Sequence, residues 1–480
     1  MFDPLLDEDA TTLAKLIRDG EVSAREITQA TLERMDQREP HIHAFCTPTP
    51  DIALAQAKSV DAKRARGDTL GALAGVPFAV KDLICTAGVK TTSGSVAYKD
   101  FIPEDDDITV ERLLAADAVM LGKTTAPEFG YSGVGHNPLF PSPRNPWDLN
   151  MTPGGSSAGS GAALAARMCP LALGSDGGGS VRIPAAHCGV YGFKASMGRV
   201  PLWPGCRDER YPGVSSWESL EHIGPMTRTV RDAALMMSLM AGPDMRDRHS
   251  IPCSDVDWLA APEMPLRKLR IAFSADFGYV AVDPEVRKVV SAAAERFARE
   301  LGCELELADP GFSDPGAAFG ALVALESDLT GMRKMMSEQG DNMSPHLVAM
   351  LQREWRAETF TDAIATRKAV SNSLWRFMQR YDLLITPTLA TPPFPLNMQG
   401  PEIIDGRMVR SDHWLSFCFP FNFTGQPAAS VPAGLTASGL PIGLQIVGRH
   451  LDDALVLAAS AAFERIQPWN HHQPAFTGIA

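Results

Sequence analysis

Helix-periodic segments alternate with short apolar runs along most of the chain. Helical periodicity marks residues 8–18 and 23–35, and Ser23 with Glu26 three residues later is typical of a helix N-terminus. Further helices are predicted near residues 51–65, 107–117, 157–168, 228–241, 284–300, 315–338, 345–379 and 452–465. Strands are predicted at the apolar runs 76–80, 119–122, 171–174, 269–273, 383–386 and 444–447. This alternation indicates an α/β fold.

Two long stretches interrupt the pattern. Residues 128–155 and 201–216 are rich in Gly, Pro, Asn and Ser and predict loops. Loops of that length inside a compact domain usually carry function. The Pro-rich, acidic stretch 243–266 is interpreted as a linker or an internal boundary.

Composition narrows the function classes. The 480 residues include 44 Lys plus Arg against 57 Asp plus Glu, a net charge of −13, and no basic stripe for a nucleic acid. Every uncharged apolar run is shorter than the ~20 residues of a membrane helix. The acidic start lacks the pattern of a secretory signal, so a cytoplasmic location is expected. The 8 cysteines form no CxxC pair and predict reduced, buried thiols.

Residues 155–159 offer a first candidate nucleophile. They fit GxSxG, in which Ser157 would attack a substrate, but that elbow needs a preceding strand and a late His partner, and the sequence indicates neither. A helix that begins after Gly154 and Gly155 could bind phosphate, although no phosphate-loop pattern is present. Taken alone, the stretch is also consistent with a glycine turn that leads into a packed helix.

Residues 174–184 offer a second candidate, Ser180, which follows three glycines at the end of a buried strand. Consecutive backbone N–H groups there can converge on one point, as in an oxyanion hole, where each donor is worth ~3 kcal/mol of transition-state stabilisation. Lys81 follows an apolar strand, and burial of an amine lowers its pKa. A neutral Lys81 would be available as a base near pH 7.

These segments together resemble the amidase signature family, whose members hydrolyse amide and related acyl bonds with a Ser, cis-Ser, Lys triad. The resemblance rests on GVPFAVKDLICTAGVKTTSGS at 75–95, TPGGSSAGSGAALAA at 152–166 and GSDGGGSVRIPAAHCGVYGFKAS at 174–196. It continues through HIGPMTRTVRDAALM at 222–236, YDLLITPT at 381–388, FNFTGQPAASVP and GLPIGLQIVGR. The resemblance therefore covers most of the chain.

The resemblance implies roles for individual residues. Ser180 would be the nucleophile, Ser156 the bridging serine after a cis peptide bond, and Lys81 the ultimate base. The oxyanion hole would consist of the backbone N–H groups of Gly177, Gly178, Gly179 and Ser180. Gly177 stands where many relatives carry Thr or Ile, and a hole built from backbone N–H groups tolerates this difference. The family's chemistry requires no metal and no organic cofactor.

The same resemblance implies an amidase-signature fold, a central twisted mixed β-sheet covered by helices on both faces. One domain is expected over 1–480, with a helical N-terminal segment at 1–66, a signature core at 67–245 and a C-terminal part at 266–480 that completes the sheet. Asp176 and Arg182 are interpreted as a paired scaffold beside the nucleophile. His187, Cys188 and Cys85 are interpreted as packed core residues, because the serine–lysine system has no role for them.

Aromatic loop residues predict the substrate class. The loops at 128–151, 203–219 and 390–423 suggest an apolar acyl site lined by Phe129, Tyr131, Met151, Trp203 and Phe417. Other aromatic residues of these loops are Tyr211, Trp217, Trp414, Phe419 and Phe421. Small aryl or alkyl amides are the predicted substrates, with esters and carbamates (urethanes) as further candidates. Whether the chain forms a homodimer stays open.

Two other functions stay open. One is the glutaminase subunit of a tRNA-dependent amidotransferase, although such subunits usually carry Gln where Ile183 stands and differ at 203–212. The other is a non-catalytic scaffold that retains the fold. The presence of all three triad residues disfavours the scaffold.

Overall fold

The computed structural model describes residues 4–204, 217–266 and 268–475. Its strands are β1 Phe45–Pro48, β2 Pro77–Lys81, β3 Val119–Thr124, β4 Leu171–Ser175, β5 Tyr191–Lys194, β6 Ile223–Thr227, β7 Arg270–Phe273, β8 Glu304–Leu307, β9 Leu383–Pro387, β10 Ile403–Ile404, β11 Arg407–Met408, β12 Ala428–Leu435 and β13 Pro441–Val447. Its α-helices are α1 Ala10–Asp19, α2 Ala24–Ile42, α3 Pro50–Arg66, α4 Ile108–Ala115, α5 Ala158–Ala165, α6 Arg182–Cys188, α7 Val230–Met240, α8 Pro284–Leu301, α9 Gly316–Leu325, α10 Leu329–Gln339, α11 Pro345–Gln352, α12 Ala357–Met378, α13 Pro420–Thr424 and α14 Asp453–Ile466.

Eleven strands form one mixed sheet in the order β1-β3-β2-β4-β6-β5-β12-β13-β9-β7-β8. Parallel pairs join β2 to β3 and β4, and β7 to β8 and β9. The remaining neighbours in the sheet are antiparallel. β5 and β12 join strands from the two halves of the chain, so both halves contribute to the same sheet. The predicted mixed sheet is confirmed.

Helices cover both faces of this sheet. Gly434 of β12 pairs with Ile442 of β13, and a Cβ atom on Gly434 would lie 3.1 Å from Cγ1 of Val289 in α8. The next residue, Gly443, faces the other way, and a Cβ atom there would lie 2.6 Å from Cβ of Ala186 in α6. Successive strand residues point to opposite faces, so α6 and α8 lie on opposite sides of β12 and β13.

α5 is made of small residues because it packs closely against the sheet. All of its residues, Ala158 to Ala165, are buried. A Cβ atom on Gly159 would lie 2.2 Å from the carbonyl oxygen of Ala44 and 2.5 Å from the nitrogen of Thr125. A larger side chain there would push the helix away from the sheet, and with it the residues that precede the helix.

Two long predicted helices are each divided in the structure. The prediction over 315–338 becomes α9 and α10, because the Asp328 side chain accepts a hydrogen bond from the N–H of Gly331 at 2.9 Å and begins a new helix. The prediction over 345–379 becomes α11 and α12. There the Arg333 side chain donates to the carbonyl groups of Leu351 and Arg353, each at 2.8 Å, and ends α11.

Several broad expectations can be compared with the described residues. No helix among them is long and apolar enough to cross a membrane. No disulfide joins the seven cysteines in the described ranges, and Cys85, Cys169, Cys188 and Cys418 are buried. Cys206, Tyr211 and most of the predicted loop at 201–216 lie outside those ranges.

Candidate active site

Two parallel strands end side by side at the centre of the candidate site. β2 pairs with β4, and Lys81 and Ser175 are their last residues. The carboxyl ends of adjacent parallel strands share one edge of the sheet, where α/β proteins usually bind ligands. The apolar run 76–80 thus positions Lys81 at this edge.

Lys81 is fully buried and contacts two hydroxyl groups. Its Nζ donates to Oγ of Ser156 at 2.7 Å and to Oγ of Ser175 at 2.8 Å. A third, longer contact of 3.3 Å joins Nζ to the carbonyl oxygen of Ser175. The amine is therefore positioned to exchange a proton with Ser156.

The peptide bond between Gly155 and Ser156 is cis, as the resemblance implies. Ser157, the alternative nucleophile, is fully buried. Its Oγ donates to the carbonyl oxygen of Ser175 and accepts the Ser175 N–H, both at 3.2 Å. Ser157 therefore joins the start of α5 to the end of β4. These contacts give Ser157 a structural role.

Ser180 lies between β4 and α6 and is 9% exposed. The N–H of Ser157 donates to its carbonyl oxygen at 3.2 Å, which brings Ser180 beside Ser156. The Asp176 carboxylate accepts the N–H groups of Gly179 at 2.7 Å and Val181 at 3.2 Å, one residue on either side of Ser180. Asp176 thereby fixes the shape of the segment 176–181, which we call the nucleophile loop.

Asp176 and Arg182 form the predicted pair. Both side chains are fully buried, and Nη2 of Arg182 lies 2.9 Å from Oδ1 of Asp176. Burial alone would raise the pKa of Asp176, but the charge and hydrogen bonds of Arg182 hold it well below its usual range. The guanidinium also donates to Oδ1 of Asn422 and Oε1 of Gln445, each at 2.7 Å. The pair is scaffold, as expected.

One N–H group of the predicted oxyanion hole already has a partner in the structure. The N–H of Gly179 already donates to Asp176, so this group is engaged in holding the loop. Within the described ranges, no group accepts a hydrogen bond from the N–H of Gly177, Gly178 or Ser180. Gly178 is the one residue from 171 to 188 that is not buried, so the loop opens toward solvent there.

The start of the predicted loop at 128–151 reaches the site. A Cβ atom on Gly130 would lie 3.6 Å from Oγ of Ser156. Tyr131 packs edge-on against Trp217, with ring centroids 4.7 Å apart, and a Cβ atom on Gly177 would lie 2.7 Å from Cε3 of Trp217. Tyr131 is therefore joined to the nucleophile loop through Trp217. Phe129 belongs to a separate apolar cluster with Tyr98, Met332, Met335, Met343, Leu347 and Leu351.

Three other predicted pocket residues have contacts away from the triad. Phe417 is fully buried in the main core, where its ring centroid lies 5.0 Å from that of Phe277. The guanidinium carbon of Arg246 lies over the Trp203 ring, 4.7 Å from the ring centroid. Met151 is half-buried and forms an isolated bridge with Pro395. Phe417 is thus packed in the core of this structure, and its role in lining the pocket stays a prediction.

Some residues around the candidate site come from distant elements and were not predicted from the sequence. Asn422 in α13 and Gln445 in β13 contact Arg182, and no local pattern marks them as neighbours. Phe319 in α9 touches the nucleophile loop, since a Cβ atom on Gly178 would lie 2.7 Å from its Cζ. The apolar run around 315–325 was the one available indication for Phe319.

His187 and Cys188 pack in the core, as predicted. The His187 ring stacks on Trp414 with centroids 5.4 Å apart, and burial lowers the pKa of His187 to about 3. Burial raises the pKa of the Cys188 thiol. Among the described residues, no three His, Cys, Asp or Glu side chains are grouped to hold a metal ion.

Known proteins are similar to this chain along nearly its whole length. The sequence profile of the family described as Amidase matches residues 26–457. An acylamidase of Rhodococcus erythropolis is 37% identical over 97% of both chains. A glutamyl-tRNA(Gln) amidotransferase subunit of Thermosynechococcus vestitus is 36% identical over 95% of this chain and 97% of its own.

Solved structures are similarly close. A bacterial aryl acylamidase of the amidase signature enzymes superposes with a TM-score of 0.89 at 32% identity, over 97% of this chain and 98% of its own. A 6-aminohexanoate cyclic dimer hydrolase superposes with a TM-score of 0.86 at 29% identity, over 98% of this chain and 99% of its own. Both likenesses extend over the elements that carry Lys81, Ser156 and Ser180.

Proposed function

The chain belongs to the amidase signature family and is an amide-hydrolysing enzyme, and we propose that it cleaves small aryl and alkyl amides through an acyl-enzyme on Ser180. The observation that carries this proposal is the buried 2.7 Å contact between Nζ of Lys81 and Oγ of Ser156, one residue from the Ser157–Ser180 link. That contact gives the reaction a base and a path for the proton.

Acylation begins when Oγ of Ser180 attacks the carbonyl carbon of the amide. The Ser180 proton passes to Oγ of Ser156, whose own proton passes to the neutral amine of Lys81. Negative charge develops on the carbonyl oxygen, where the N–H groups of Gly177, Gly178 and Ser180 stabilise it. Hydrogen-bond donors held in place before the reaction require no rearrangement at this step.

The tetrahedral intermediate then collapses with cleavage of the C–N bond. Ser156 gives a proton to the leaving nitrogen and is reprotonated by Lys81, so an amine leaves and an ester to Ser180 remains. Water attacks this ester and loses its proton through Ser156 to Lys81. The Ser180–acyl bond breaks, Ser180 regains a proton, and a carboxylic acid is released. The free enzyme is thereby restored.

A matched substrate panel tests this function. The panel contains an anilide, an alkyl amide, glutamine, an ester and a carbamate, and Ser180→Ala serves as the blank. We expect anilide or alkyl amide hydrolysis in wild type, and a loss of at least three orders of magnitude in Ser180→Ala and Lys81→Ala. Ser59→Ala is the control, because Ser59 is exposed on α3.

Labelling separates the alternatives. A fluorophosphonate should modify wild type and Ser59→Ala but not Ser180→Ala, and intact mass spectrometry measures the adduct. Hydrolysis of glutamine and of no other substrate in the panel, observed only when partner subunits are added, would instead support the glutaminase. A folded wild-type protein without label or turnover would support the scaffold and contradict the proposal.

A further inference from the structure

We propose that Phe319 determines acyl-group specificity and restricts the enzyme to short acyl chains. This inference rests on the proposed amide hydrolysis at Ser180. Gly178 is the one partly exposed residue of the nucleophile loop, and Phe319 of α9 lies against it there.

The Phe319 ring lies directly against Gly178. A Cβ atom on Gly178 would lie 2.7 Å from Cζ and 3.3 Å from Cε1 of Phe319, closer than carbon atoms normally approach. The N–H of Gly178 is one of the proposed oxyanion donors. The ring therefore borders the space that the substrate carbonyl group occupies.

The ring has little room to move away. It stacks on Phe419 with centroids 4.9 Å apart and planes 21° apart, and Phe423 lies behind at 6.3 Å. Phe419 and Phe423 are both buried. Close-packed aromatic groups resist displacement, so Phe319 forms a fixed wall.

The positions of the other groups indicate which part of the substrate meets this wall. The leaving nitrogen takes its proton from Ser156, so the leaving group lies beside Ser156 and the nearby Gly130. The acyl chain extends from the same carbon in another direction, away from Ser156. It therefore passes Gly178 and meets the Phe319 ring, which stops chains longer than a few carbons.

Two anilide series test this assignment. The first varies the acyl group from acetyl to butanoyl, hexanoyl and octanoyl on one aniline, and the second keeps acetyl and varies the aniline. Phe319→Ala should raise the hexanoyl-to-acetyl ratio of kcat/KM about tenfold or more, since each methylene in an apolar pocket changes discrimination at least about tenfold. The second series should keep its wild-type order.

The control is Phe360→Ala, which removes another half-buried aromatic ring, one that stacks on Trp355 at the start of α12. It should leave both ratios unchanged. Phe319→Leu should give an intermediate ratio and tests the proposal if Phe319→Ala does not fold, as judged by its melting curve.

The outcomes separate the two proposals. An unchanged hexanoyl-to-acetyl ratio in a folded, fluorophosphonate-labelled Phe319 variant would overturn the specificity role while hydrolysis stands. A change confined to the aniline series would also overturn it, because the ring would then contact the leaving group. Absence of wild-type activity on every anilide would overturn the proposed function instead.

Discussion

The amine of Lys81 is shared between two hydroxyl groups from different elements. Ser156 is the proposed proton carrier, whereas Ser175 ends β4 and accepts a hydrogen bond from Nζ of Lys81 at 2.8 Å. An acceptor at that position holds the amine beside Ser156. Ser175 is therefore a positioning residue for the proposed base.

Replacing Ser175 tests this role. Ser175→Ala should lower kcat/KM about tenfold, the equivalent of one hydrogen bond of ~1–1.5 kcal/mol. Without this acceptor the amine is held less firmly beside Ser156, so the loss should lie in kcat while KM stays nearly unchanged. Separate measurement of kcat and KM checks both effects.

Ser160→Ala is the control for this experiment. Ser160 is also a buried serine against β4, but its Oγ bonds the carbonyl oxygen of Leu173 and Oγ1 of Thr124. Its substitution should leave kcat and KM unchanged. A Ser175→Ala enzyme with the wild-type kcat would contradict the positioning role.

At the level of elements, Arg182 joins the start of α6 to two elements from the other end of the chain. Its guanidinium contacts Asp176, Asn422 of α13 and Gln445 of β13. All of these side chains are buried. The geometry of the nucleophile loop therefore depends on elements more than 200 residues away in sequence.

Arg182→Met should destabilise the fold by about 3–5 kcal/mol, because it leaves the Asp176 carboxylate buried without its partner. Chemical unfolding measures the loss. The double variant Asp176→Asn/Arg182→Met also removes the unpaired carboxylate charge and should recover part of the lost stability. Arg66→Met is the control, since the Arg66–Asp68 pair is largely exposed and its loss should cost less than about 1 kcal/mol.

The destabilisation should also depend on pH. Without Arg182, burial is the largest remaining influence on Asp176 and should raise its pKa above the value in the unfolded chain, against the charge of Lys194 and the hydrogen bond of Asn422. A raised folded-state pKa means that the folded protein binds the proton more tightly, so stability falls as pH rises through that pKa. The Arg182→Met protein should lose less stability at pH 5 than at pH 8. An equal loss at both pH values would contradict this account.

The same elements show what sequence patterns can predict. Local patterns identified the apolar runs of β2 and β4 and the periodic helices. They correctly predicted that Lys81 and the glycine loop each come at the end of a buried strand. β6 and β12 were missed, since Pro225 and Pro432 lie inside them and proline is rare within strands. The register of β12 against β13 shifts between Pro432 and Gly434, and such a bulge accommodates a residue without an N–H group.

At the scale of the whole molecule, the contacts between distant segments could not be predicted from the sequence. The proposed triad residues could be named because the motifs around them together resemble those of the amidase signature family. The partners Asn422 and Gln445, the wall at Phe319 and the core position of Phe417 depend on how α9, α13 and β13 pack on the first half. Tertiary packing is not encoded in a local hydrophobic pattern.

We propose that the whole chain is one folding domain. β5 of the first half pairs with β12 of the second, with Lys194 opposite Ala428 and Gly192 opposite Ser430. A fragment of residues 1–266 would expose this strand edge and remove Asn422 and Gln445 from Arg182. Unpaired backbone groups and an incomplete ion-pair network both disfavour the folded fragment.

The fragment 1–266 should therefore fail to melt cooperatively and should not react with a fluorophosphonate, although it contains Lys81, Ser156 and Ser180. Co-expression with residues 267–480 should restore the label, because β12 then completes the sheet beside β5 and Arg182 regains its partners. The same co-expression with Ser180→Ala in the first fragment is the control and should stay unlabelled. A fragment 1–266 that melts cooperatively and is labelled alone would show instead that the first half is a domain by itself.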